Sequence, residues 1–162
     1  MNIICDTDIV SSLAKVEELD LLDEIFPRSN FYISLAVYEE LDNAREMGHN
    51  FPEKIFKKFQ IVSMVEDEVK RYRRQISGKR ILDRGEIQSM VIAQSRDWIF
   101  LTNDKVARVV SKESSIKTYN LAEILRASFL AGLRSEKELK ELIKSLKERD
   151  NFVFSNETNL YE

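Results

Sequence analysis

Short apolar runs alternate along the chain with stretches of helical spacing. Asn2–Cys5 (NIIC) has the length of a buried strand and ends in Asp6. Ile9, Val10, Leu13 and Ala14 then recur at helical spacing, and the helical pattern of Leu19–Phe26 is stopped by Pro27. Phe31–Ile33 reads as a second strand, with Ser34 placed to cap a helix that carries Val37, Leu41 and Ala44 on one face. Gly48–Phe59 predicts a loop and a short helix, Gln60–Ser63 an extra strand, and Glu66–Gln75 a charged helix ending near Ser77-Gly78. Asp83–Arg96 predicts a helix with Ile87, Met90, Val91 and Gln94 facing the core. Trp98–Leu101 (WIFL) reads as a fully buried strand, Lys105–Val110 as a short helix and Ile116–Tyr119 as a last strand. Asn120 caps a helix bearing Leu121, Ile124, Leu125 and Phe129, which Gly132 ends. Ser135 opens a final helix with Leu139, Leu142, Ile143 and Leu146 on one stripe. The tail Asn151–Glu162 is expected to add an edge strand or to cover a neighbour. Apolar strands alternating with helices predict an α/β fold with a parallel sheet covered on both faces.

Composition narrows the function. With 162 residues the chain suits one domain, expected to have a core at about 1–131 and a C-terminal helix and tail at about 132–162. A hydrophobic share of 43% is enough for a core and argues against disorder. One cysteine, Cys5, excludes an internal disulfide and a multi-cysteine zinc cluster, and one histidine, His49, excludes a histidine pair. Any metal must therefore sit on carboxylates. Net charge is only −3, unlike a protein that binds nucleic acid by bulk charge. No leader pattern and no apolar stretch near ~20 residues is present, so the expectation is a cytoplasmic protein without membrane contact.

In parallel sheets, ligands bind beyond the carboxyl ends of the strands. Those ends are acidic here. Asp6 closes the first strand and Asp104 follows the WIFL strand; Glu86 lies in the first turn of the helix leading back to it, and Glu40 on the helix after the second strand. Four acids at one sheet edge repel and raise one another's pKa values unless a cation intervenes. Hard divalent cations such as Mg²⁺ or Mn²⁺ prefer such ligands. Each acid also has a plainer reading: Asp6 or Asp8 as a helix cap, Asp83 with Glu86 as a capping box, Asp104 as a cap, and Glu40 as an exposed helix residue.

The stretches IICDTDIVSSLAK, ISLAVYEEL, LDRGEIQSMVIAQSRDWIFLTNDKVARVV and LAEILRASFLAGL together resemble the PIN-domain ribonucleases, particularly the VapC-like prokaryotic branch. The GE…A…LTND…AR stretch is the most specific of them. The resemblance implies a PIN-like three-layer α/β/α fold with a central, mostly parallel sheet of four to five strands and extra C-terminal helices. It implies an acidic quartet, Asp6, Glu40, Glu86 and Asp104, holding Mg²⁺ or Mn²⁺. It also implies RNA hydrolysis leaving a 5′-phosphate and a 3′-hydroxyl. Glu40 rather than Glu39 is chosen because it directly precedes Leu41, and Glu86 is one methylene longer than the aspartate common in the VapC branch. Asp8, Asp83 and Asn103 are candidates to stand behind the quartet. The favoured function is a metal-dependent endoribonuclease, the toxin of a toxin–antitoxin pair, with a separate antitoxin chain and a homodimer implied.

Lys105 and Arg108, one turn beyond Asp104, and Arg84 are candidate phosphate contacts, while Arg108 could instead pair with a nearby carboxylate and hold the quartet in shape. Lys70, Arg71, Arg73, Arg74, Lys79, Arg80 and Arg84 form a basic stretch that could follow an RNA backbone or simply be a solvated face. His49 is expected in solvent, Cys5 in the core, and Trp98 in packing. Two other functions remain open. Asp6-Thr7-Asp8-Ile9-Val10 resembles the opening of haloacid-dehalogenase phosphatases, although LTND lacks that family's second aspartate. The domain could also bind nucleic acid or assemble without turnover.

Overall fold

The computed structural model describes residues 1–78 and 82–161. The chain runs β1 (Asn2–Cys5), α1 (Thr7–Lys15), α2 (Leu21–Ile25), β2 (Asn30–Ser34), α3 (Leu35–Glu46), α4 (Phe51–Lys58), β3 (Gln60–Val62) and α5 (Glu66–Ile76). It continues with α6 (Arg84–Arg96), β4 (Ile99–Leu101), α7 (Lys105–Glu113), β5 (Thr118–Tyr119), α8 (Leu121–Leu130) and α9 (Glu136–Asp150), and a short 3₁₀ turn at Thr158–Leu160. The five strands form one sheet in the order β3-β2-β1-β4-β5, and every pairing is parallel.

The period of two in a strand splits β1 between two cores. Ile3 and Cys5 face a large core with residues of α1–α4, α8 and α9, whereas Ile4 faces a smaller one with Met90, Ile92, Ala93 and Ala107 of α6 and α7. The result is the three-layer α/β/α arrangement. Crossovers between parallel strands are right-handed as a rule, which accounts for it: the chain moves outward from β1 to β3 with helices on one face, then crosses back to β4 and β5 with helices on the other. Strand order therefore reverses between β1 and β4, where an open α/β sheet leaves a crevice at its carboxyl edge.

Several boundaries differ from the sequence reading. Asp20 sits at the N-cap of α2, so that helix starts at Leu21. Trp98 precedes β4 because the αL residue Asp97 closes α6 there; the indole stacks on Tyr32 with ring centroids 4.4 Å apart. β4 is not buried throughout, since Ile99 is only half-buried. α7 runs on to Glu113, and β5 is reduced to two residues because the Ile116 N–H bonds to Ser111 O, at the end of α7. Gln94 is exposed, which corrects its assignment to the core face of α6. That helix is wrapped rather than one-faced: Gly85 to Ala93 are all buried beneath the sheet, α3 and α5.

Among the described residues the tail adds no strand, the first of the two expectations; it covers α8 instead, the second. Asn151 adopts αL geometry, and the chain turns back so that Leu160 is buried and Tyr161 meets Phe129 edge-on at 5.7 Å. Cys5 is fully buried, and His49 is exposed. Among the described residues no helix is long and apolar enough to cross a membrane.

Candidate functional site

The acids gather at the crevice between β1 and β4. Asp6 follows β1 directly, and its backbone N–H donates to Leu101 O at 2.9 Å, which ties it to the end of β4. The residue is 2% exposed. One carboxylate oxygen accepts from the Thr7 N–H at 2.8 Å and the other from the Thr102 hydroxyl at 3.0 Å. Thr102 in turn accepts from the Asp104 N–H at 3.1 Å, and Asp104 caps α7 through the Ala107 N–H at 2.7 Å. One hydroxyl thus holds two of the four acids in register.

Glu40 arrives from α3. Ser34 caps that helix at Val37, and the side-chain carbonyl of Gln88 on α6 accepts from the Ala36 N–H at 3.0 Å. Those bonds satisfy N–H groups that a helix start leaves without partners, and the Gln88 bond fastens α3 to α6. Glu40 is turned toward the crevice, where it accepts a hydrogen bond from the Thr7 hydroxyl. Glu39 is exposed and lies 3.8 Å from Arg84. Glu86 arrives from α6 in a reciprocal capping box: its carboxylate accepts from the Asp83 N–H at 3.0 Å, while Asp83 accepts from the Glu86 N–H at 2.7 Å. The cap readings of Asp6, Asp83 with Glu86, and Asp104 therefore hold in the structure beside their gathering at one edge.

Burial and mutual repulsion dominate the electrostatics. Burial pushes the Asp6 carboxyl well above its ordinary value, and Glu86, Asp83 and Asp8 push it further while the Thr102 hydrogen bond opposes them. Glu86 is pushed up to about 7 by burial and by Asp83, Asp104 and Asp8, against the Asp83 backbone N–H. Glu40 is raised by burial, Asp83 and Asp8, with Thr7 and Arg84 opposing. Asp8 is raised by burial, Asp83, Asp150 and Asp104. Hard oxygen donors in excess of compensating cations suit a divalent metal chemically. Among the described residues, however, no three acids stand close enough to hold one ion as they are placed, since each is committed to a cap or a hydroxyl.

The remaining candidates divide. Asn103 accepts from the Leu121 N–H at 3.0 Å, so it ties the end of β4 to α8. Arg108 pairs with Glu123 at 2.9 Å rather than with any quartet acid. Lys105 is exposed at the start of α7, and Arg84 at the start of α6. Lys70 is paired with Glu66 and Asp67; Arg71, Arg73 and Arg74 are exposed, and Lys79 and Arg80 lie outside the described residues.

Four contributors escaped the sequence reading. Thr7 and Thr102 orient Glu40 and Asp6; the available signal was a hydroxyl residue beside each strand-end acid. Asp150, at the far end of α9, accepts from Ser12 and pairs with Lys15 at 2.6 Å, bringing another negative charge near Asp8. Gly85 is needed for space: a Cβ there would lie 3.0 Å from a Glu40 carboxylate oxygen and 3.1 Å from Val37 Cγ2. Gly85→Ala is expected to shift stability by no more than ~1 kcal/mol, because the helix propensity gained offsets the crowding. A melting curve of the variant beside wild type reads that shift.

A family model described as PIN domain matches residues 2–160. No curated protein matches the chain. Among solved structures, VapBC-1 from nontypeable Haemophilus influenzae is similar at 14% identity and a TM-score of 0.58, over 74% of this chain and 98% of that one. VapBC2 from Rickettsia felis, bound to a DNA fragment from its promoter, is similar at 17% identity and 0.56, over 74% and 98%. A PilT N-terminus domain protein from Sulfolobus solfataricus P2 follows at 12% and 0.54, over 80% and 94%. These likenesses show a shared fold.

Proposed function

The chain belongs to the PIN-domain family, and from that premise we propose that it is a Mg²⁺- or Mn²⁺-dependent endoribonuclease, the toxin of a toxin–antitoxin pair. The observation that carries the reading is the group of carboxyls raised together by burial and mutual repulsion at the point where strand order reverses. To hold the cation, Asp6, Glu40, Glu86 and Asp104 would turn from their caps and hydroxyls and converge, with Asp8 and Asp83 behind them. A cation held there would supply Lewis acidity, to activate a water and to steady the charge on a phosphodiester.

The chain's own residues prepare that chemistry. Thr102 and the Thr7 N–H fix both oxygens of Asp6, leaving it little rotamer freedom. The Thr7 hydroxyl aims Glu40 into the crevice. Glu86, pushed up to about 7 in the metal-free chain, would give up its proton as the cation enters near neutral pH. Lys105 and Arg84 would meet the phosphate backbone on either side of the acids.

The test is cleavage of a mixed single-stranded RNA panel with Mg²⁺, with Mn²⁺ or with EDTA. Metal-dependent cleavage leaving 5′-phosphate ends is the expected result. RNA binding with no turnover under either metal would favour the second reading, a nucleic-acid-binding or assembly module. One observation favours that module: each acid already serves a cap or a hydroxyl, and no three converge among the described residues. An antitoxin and a homodimer belong to the same proposal, and copurification from the native operon with mass measurement would test both.

A further inference from the structure

A second charged feature lies on α7, outside the acids. Lys105, Arg108 and Lys112 fall on one face at i, i+3 and i+7, and Lys117 joins them from the segment before β5. These four cations, with Val109 and Thr118, line a groove of about 680 Å³ that has no acidic side chain in its lining. The arrangement works against the helix that carries it. Lys105 occupies the first helical position, where the macrodipole favours an anion, and Arg108 and Lys112 are a like-charge i, i+4 pair. Among the described residues Lys105, Lys112 and Lys117 make no ion pair, and only Arg108 is answered, by Glu123 at the rim. Lys112, in the last turn, suits the macrodipole, but helix stability gives no reason for Lys105 at the first position, for Arg108 one turn before Lys112 or for Lys117 beyond the helix, whereas a polyanion laid along the stripe does.

We infer that this groove takes the sugar-phosphate backbone of single-stranded RNA and leads it to the acids, an inference that rests on the nuclease reading for the identity of the polyanion. Position argues for it. Asp104 caps α7, so the stripe starts beside the acid cluster and runs about 10 Å along the helix from Lys105 to Lys112. Val109, 56% exposed among the cations, offers an apolar surface that unpaired bases or sugars can reach and a duplex backbone cannot use. Lys112 and Lys117 extend the contact surface beyond Lys105 and Arg108.

The experiment is fluorescence anisotropy of a labelled, unstructured single-stranded RNA, in EDTA so that nothing is cleaved, over a range of KCl concentrations. Each phosphate contact on a single strand contributes about 0.7 to the slope of log affinity against log salt. Lys112→Ala with Lys117→Ala should lower that slope by about 1.4. Lys137→Ala with Lys144→Ala, an equal charge loss on the exposed face of α9, should leave it unchanged. Glu123→Gln should steepen the slope by about 0.7: glutamine preserves the capping box with Asn120 and frees Arg108. An unchanged slope in the groove variant, an equal drop in the α9 variant, or no RNA binding by wild type overturns the inference. So does polyglutamate competing as well as RNA with the same dependence on Lys112 and Lys117, which would make the groove a site for an acidic protein. Groove-dependent binding by a protein that cleaves no RNA under Mg²⁺ or Mn²⁺ keeps the groove and removes the nuclease reading.

Discussion

Asp6→Asn is expected to abolish RNA cleavage, by at least ~100-fold, while the protein folds as well as wild type. The loss follows from chemistry: an amide is a poor ligand for a hard cation and brings no charge to the site. Retention of the fold follows from the surroundings. The Asn carbonyl still accepts the Thr7 N–H, and its amide donates to the Thr102 oxygen, which has lone pairs for both this contact and the Asp104 N–H. Removing a buried carboxyl whose ionised form is disfavoured should even stabilise the metal-free protein above neutral pH. The readout is a cleavage time course beside a thermal melt in EDTA. Wild-type cleavage by the variant would remove Asp6 from the chemistry, whatever its geometry.

Metal-free protein should lose stability as pH rises from about 5 to 8, and Mg²⁺ should restore it. Glu86 ionises near an ordinary value of 4.5 in the unfolded chain and at about 7 in the folded one. Between those values the folded state holds a proton that the unfolded state has released, so stability declines across that window and levels off above it. At ~1.4 kcal/mol per unit, discounted for solvent, this single group accounts for roughly 2–3 kcal/mol. That corresponds to a fall in Tm of about 5–10 °C for a chain of this size. The raised Asp6, Asp8 and Glu40 act in the same direction. Glu68 acts oppositely: burial opposes its charge, but bidentate Arg96 at 2.8 Å holds its carboxyl low, so its contribution fades only in more acidic solution. Melting curves above pH 5, with EDTA and with Mg²⁺, separate the two. A Tm that climbs with pH in EDTA, or that ignores Mg²⁺ at pH 8, would show that the carboxyls do not act as one cluster.

Much of this was legible because the signals are local. Apolar runs ending in acids marked β1 and β4, Asp83 three residues before Glu86 marked the start of α6, and Gly132 marked the end of α8 with a φ of +70°. What escaped depends on tertiary neighbours. Amphipathic spacing suggested one core face for α6, yet the sheet, α3 and α5 bury it nearly all round, and it reaches solvent only at Arg84 and from Gln94 onward. The turn of α3 brings Glu40 rather than Glu39 toward the crevice, but the contact that orients it comes from Thr7, 33 residues earlier. Asp150 reaches Ser12 across 138 residues, a separation over which periodicity carries no information. The pairing of Arg108 with Glu123 likewise depended on where α8 folds back.

The central place of β1 also sets a timetable for synthesis. The strand made first must wait for the strand that flanks it on the acid side, since Asp6 meets Thr102 across 96 residues. At ribosomal rates of ~5–20 residues per second, Asp6 is exposed for roughly 5–20 s before its partner exists. During that interval the nascent chain can assemble β1, β2 and β3 but no crevice between β1 and β4. Under the proposed nuclease function, the chain cannot act on the RNA that encodes it until most of its length has been translated, a delay written into strand order rather than into any regulator.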